Sequence, residues 1–112
     1  MSELVKQKCE ACRVGAPQVT DQEKIEMLGE IPGWTVEIRE GIRQLEKTFS
    51  FDNYQQSMDF TNRVAELAEA EDHHPALLTE WGKVRVTWWT HAIGGLHLND
   101  FICAAKTDLL NQ

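Results

Sequence analysis

The strongest constraint on how this chain can fold is a hard stop near its middle. From Asp52 to about Glu71 the residues are helix formers without Gly or Pro, and Phe60, Val64 and Leu67, flanked by Ala68, recur at i, i+4 and i+7. Asp52 with Gln55 three residues on has the form of a capping box that opens this helix. Pro75 closes it, because the pyrrolidine ring cannot continue a helix and drives His74, the residue before it, into extended backbone. The chain must therefore pass from its longest helix into a strand across Glu69-Ala-Glu-Asp-His-His-Pro75.

Beyond that junction the residues alternate between apolar and polar. Pro75-Ala-Leu-Leu-Thr-Glu80 reads as a strand, Trp81-Gly82 as a turn, and Lys83-Val-Arg-Val-Thr-Trp-Trp-Thr90 as the returning strand. Val84, Val86 and Trp88 share one face of it; Arg85, Thr87, Trp89 and His91 share the other. An earlier pair has the same form. Trp34-Thr-Val-Glu-Ile-Arg39 and a second strand, Ile42 to Phe51, meet at Glu40-Gly41. Before them, Thr20-Asp-Gln-Glu23 is a second capping box, leading a short helix with Ile25, Met27, Leu28 and Ile31 as its apolar stripe and Pro32-Gly33 as its stop. After Gly94-Gly95, Asn99-Asp100 leads a last helix with Phe101, Ile102, Ala105 and Leu109 facing inward. The order αββαββα predicts an α+β fold, a four-stranded antiparallel sheet with three helices on one face.

A length of 112 residues fits one domain. Residues 1–19 are polar, lack a period and end in Gly15-Ala-Pro17, which predicts a flexible N-terminal arm ahead of a single domain over 20–112. A core this small gains from oligomerisation. The net charge of −7 argues against nucleic acid as main partner. No stretch approaches the ~20 apolar residues of a membrane helix, and the N-terminus lacks the apolar core of an export signal. Three cysteines, an odd count, fit a reducing compartment, so the expected location is cytoplasmic. Cys9-Glu-Ala-Cys12 is half of a zinc-knuckle pattern with no second half, and reads more readily as two free thiols.

Three of the four histidines cluster. His73 and His74 lie eight or nine residues before the Trp81-Gly82 turn and His91 about nine after it, so antiparallel pairing brings all three into one neighbourhood beside Glu69, Glu71 and Asp72. Imidazoles exchange protons near neutral pH, and with carboxylates they form acid–base or metal sites. Acid–base use is favoured, because metal-binding histidine pairs more often stand at i, i+4 on a helix, a spacing this chain lacks. Surface histidines that merely cluster are the third reading. His97 is expected to be solvated near the start of the last helix. Trp34, Trp81, Trp88 and Trp89 are expected mainly as core or interface mass, with Trp89, on the face of His91, the best placed to wall a flat heterocycle.

Glu69-x-x-Asp72-His73-His74-Pro75, then Trp81-Gly-Lys-Val-x-Val-Thr87, Thr90-His91, Gly95 and Asp100, together with Pro32-Gly33-Trp34, resembles the signature of the pterin-4a-carbinolamine dehydratases over about residues 21–112. The resemblance implies an αββαββα fold and homodimers or homotetramers. It also implies dehydration of 4a-hydroxytetrahydropterin to quinonoid dihydropterin, which recycles the cofactor of aromatic amino-acid hydroxylases, with no metal or organic cofactor. Some relatives act instead as regulatory or dimerisation partners of a hydroxylase or transcription factor. His73, His74 and His91 match the family's active-site histidines; Asp72 and Thr90 match its pterin-binding segments, and Glu69 and Asp100 acidic positions nearby. The chain departs from the pattern at Trp88-Trp89, where other members carry smaller residues.

Overall fold

The backbone between Glu40 and Gly41 turns through two left-handed residues, with φ of 53° and 79°, and so joins two strands in a tight hairpin whose twist matches their own. In the computed structural model, which describes residues 3–6 and 18–111, this hairpin is the first of two. The elements run α1 (Asp21–Leu28), β1 (Thr35–Arg39), β2 (Ile42–Ser50), α2 (Tyr54–Glu71), β3 (Ala76–Glu80), β4 (Lys83–Trp88) and α3 (Leu98–Leu110), with 3-10 turns at Glu3–Lys6 and His91–Ile93. This is the expected αββαββα order in an α+β fold. β1 pairs with β2 and β3 with β4, all antiparallel, and β2 lies against β4, giving a sheet of order β1-β2-β4-β3.

Alternation along the strands divides the sheet into two unlike faces. Leu45 and Phe49 of β2 and Val84, Val86 and Trp88 of β4 are buried on one face, with Phe60, Val64 and Ala68 of α2 and Phe101, Ile102 and Ala105 of α3. Met27 and Leu28 of α1 pack against the same cluster. The other face is a polar lattice: Glu46 meets Arg39 at 2.8 Å and accepts from Thr87 Oγ1 at 3.1 Å, while Arg39 donates to Gln44 at 3.0 Å. Trp34 Nε1, just before β1, and Lys47 Nζ of β2 both donate to Asp108, tying the first hairpin to α3.

Several local expectations shift. The N-cap of α2 is Asn53, whose side chain accepts the amide of Gln56 at 2.8 Å, while Gln56 accepts the amide of Asp52 at 3.0 Å. Asp and Asn rank alike as caps, so local preference does not choose between adjacent ones. Ile25 is 62% exposed: α1 ends at Leu28, capped by Gly29, so Ile31 reaches the core from beyond the helix and the stripe is broken. Thr20 and Glu23 form the expected capping box. Leu4, in the 3-10 turn Glu3–Lys6, is buried in the core beside α3; most of residues 1–19, expected as an arm, lie outside the described residues. Cys9 and Cys12 lie outside the described residues. Among the described residues no helix is long and apolar enough to cross a membrane.

Candidate active site

The site is built where two elements end and a third begins. Asp72 terminates α2 in the left-handed conformation, φ 50° and ψ 43°, its amide donating to the carbonyls of Ala68 and Glu69. Asp is one of the few residues with a side chain that visits this region readily. After the reversal His73 and His74 lie outside helix and strand, and the two side chains go opposite ways. His73 goes inward, 6% exposed, and His74 outward.

Opposite them, β4 ends at Trp88, two residues earlier than the alternation predicts. Thr90 forms an isolated bridge with Gly95, and His91 opens a 3-10 turn. α3 then starts from an unusual cap. Nδ1 of His97 accepts the amide of Asn99 at 3.1 Å, and Asp100 Oδ2 accepts the amide of His97 at 2.9 Å. His97 is thus a half-buried N-cap and not the solvated residue expected. Histidine is a rare cap, but the acid three residues later is the capping-box signal that could have revealed it.

Asp100 joins the two halves. Its carboxylate is fully buried and accepts from Thr90 Oγ1 at 2.8 Å on Oδ2, while Oδ1 lies 2.7 Å from His73 Nε2. A carboxylate only accepts, so the network assigns the His73 proton to Nε2. The imidazole is also stacked on Trp88, with centroids 5.5 Å apart and planes within 9°. Its tautomer and its plane are both fixed. His74 Nε2 lies 2.6 Å from Glu69 Oε2, an exposed pair across the last turn of α2. His91 stacks on Trp89 at 4.4 Å and 9°.

Asp72, His73, His74, Thr90, His91 and Ala92 line one cavity of about 290 Å³. Such a volume is at the small end of the roughly 300–1,000 Å³ of small-molecule sites. Five of the eight residues singled out in the sequence therefore meet around one space. The other three stand behind it: Glu69 braces His74, Asp100 lies buried beneath His73, and Trp89 lines a different cavity on the polar face of the sheet, about 550 Å³, with Arg39, Ile42 and Arg85. Trp88 was expected mainly as core or interface mass; its stack on His73 joins residues from two elements, which alternation along one strand does not reveal. Among the described residues no three His, Cys, Asp or Glu side chains are arranged to hold a metal ion.

Residues 17–110 match the family described as pterin 4 alpha carbinolamine dehydratase. The chain belongs to this family. Both halves of the histidine site, the end of α2 and the start of α3, fall inside the matched span. The fold is similar to the crystal structure of a transcriptional coactivator/pterin dehydratase from Brucella melitensis, with a TM-score of 0.77, 27% identity, and coverage of 86% of this chain and 100% of that one. It is also similar to a pterin dehydratase-like protein identified as a RuBisCO assembly factor in the alpha-carboxysome, with a TM-score of 0.60, 25% identity, and coverage of 70% of this chain and 89% of that one.

Proposed function

We propose that the protein removes water from 4a-hydroxytetrahydropterin to give quinonoid dihydropterin. The observation that carries this reading is the meeting of three imidazoles around one cavity, two of them oriented by carboxylates. The reaction breaks the bond between carbon 4a and its hydroxyl. The oxygen must gain a proton to leave as water, and a ring nitrogen must lose one. His74 and His91, on the exposed side of the cavity, divide these two transfers, each worth roughly 10²–10⁴-fold. His73, held by Asp100 and Trp88, orients the leaving hydroxyl. Asp72 and Thr90 meet the polar edge of the pterin, and Glu69 sets the tautomer of His74.

In this reading the protein needs no cofactor of its own. It works in the cytoplasm beside an aromatic amino-acid hydroxylase, as a homodimer or homotetramer. A second reading, a non-catalytic partner in regulation or assembly, draws on the descriptions of the two similar structures as a coactivator and an assembly factor. Carbinolamine generated in the cuvette by a hydroxylase separates the two. Purified protein is expected to hasten its decay, and His74→Ala or His91→Ala to slow that turnover at least tenfold with an unchanged circular dichroism spectrum. No acceleration by folded native protein would leave the binding reading in place. Native turnover in folded His91→Ala would remove that residue from the mechanism.

A further inference from the structure

Each histidine of the site is fixed by a different device, and His91 has the least conventional one. His73 has Asp100, and His74 has Glu69. Among the described residues no side chain hydrogen-bonds to the His91 ring, which is exposed at the first position of a 3-10 turn. An exposed imidazole without such a bond ordinarily samples several rotamers. Here it lies flat on the indole of Trp89, planes within 9° and centroids 4.4 Å apart.

The backbone makes this pairing possible. Thr90, with φ −96° and ψ 107°, is extended, so residues 89 and 91 leave the chain on one side. Side chains two apart on a strand start about 7 Å from each other. The rings have closed well inside that distance, as stacked aromatic partners do. The indole is itself held, since Trp89 is half-buried and packed against the core cluster. It lines the cavity on the polar face, whereas His91 lines the histidine cavity. Trp89 therefore bounds the reaction space only through His91.

From this geometry we infer that Trp89 is the positioning residue of His91: the indole sets the plane of that imidazole and does not itself receive the pterin. The inference rests on the proposed dehydration for its catalytic consequence, whereas the stack can be measured without turnover. A ring over an indole face feels its ring current, so the carbon-bound protons of His91 are expected upfield of those of a free histidine. They are expected to return to ordinary positions in Trp89→Ser and to stay shifted in Trp89→Phe.

In turnover, Trp89→Ser is expected to lower kcat about tenfold with KM within about twofold, because a misplaced acid–base group costs rate more than binding. Trp89→Phe is expected to restore most of it. His91 resonances indifferent to Trp89→Ser would overturn the inference, as would an unchanged kcat once the stack is lost. A rise in KM at constant kcat would also overturn it, by making Trp89 a substrate contact. If native protein shows no turnover, the proposed function fails, and the resonances alone decide whether the indole holds the imidazole.

Discussion

The left-handed backbone at Asp72 and the carboxylate it presents to the cavity are separable by substitution. With φ at 50°, a β-branched residue there would incur the steric penalty of this region, on the order of 1–2 kcal/mol, whereas Asn tolerates it nearly as well as Asp. Asp72→Val is therefore expected to lower stability by about that amount in urea denaturation, and Asp72→Asn to leave it nearly unchanged. A loss of turnover in Asp72→Asn then reports on the carboxylate alone. Equal midpoints for the two variants would show that the cap conformation relaxes at little cost. The chemistry of this position was legible in the sequence, because an acid beside two histidines and a proline is a conspicuous grouping. Its backbone conformation was not, since Pro75 forbids the helix without saying which residue makes the reversal.

Among the elements, α1 depends most on its ends, because none of its eight residues is fully buried. Its capping box joins Thr20 and Glu23 by two hydrogen bonds, at 2.8 and 3.1 Å. Thr20→Ala is expected to cost about 1 kcal/mol, read as a lower denaturation midpoint at neutral pH. The same end of the helix is sensitive to acid. The amide and hydroxyl of Thr20 hold Glu23 below its ordinary 4.5, and the guanidinium of Arg43, with help from Lys24, holds Asp21 below its ordinary 3.8. A carboxyl whose folded pKa is depressed adds stability above its unfolded value and loses it as the pH falls through the folded one. The midpoint should therefore fall on acidification from about pH 5 to about pH 3, and less steeply in Glu23→Gln. A slope unaffected by Glu23→Gln would place the acid sensitivity elsewhere. This cap was readable from four residues, whereas the exposure of Ile25 was not, because the helix stops at Leu28, before the stripe is complete.

For the whole molecule, a single apolar layer between the helices and one face of the sheet carries the stability. Phe60 stands at its centre, with ring centroids 4.7 Å from Phe49 and 5.2 Å from Phe51. Phe60→Ala is expected to cost about 3–5 kcal/mol in guanidinium unfolding, in one transition seen alike by fluorescence and circular dichroism. Two separate transitions would show that the layer is not one cooperative unit. The two hairpins and their helices could be read from periods of two and 3.6, and the turn at Trp81-Gly82 measured nearly equal arms to His73 and His91. The pairing of β2 with β4 could not be read, because nothing local to either strand specifies a neighbour from the other hairpin. The direction of Trp89 was half legible: alternation gave the face it shares with His91, but not the separate cavity that face overlooks.

Asp100 gives one oxygen to the first turn of α3 and the other to His73, so unwinding that turn would take from the imidazole its carboxylate partner. In the proposed dehydration, only molecules with that helix wound to its beginning would keep His73 braced by Asp100. Strain applied along that rod, even at Asp108 where Lys47 grips it, would then reach His73 through Asp100.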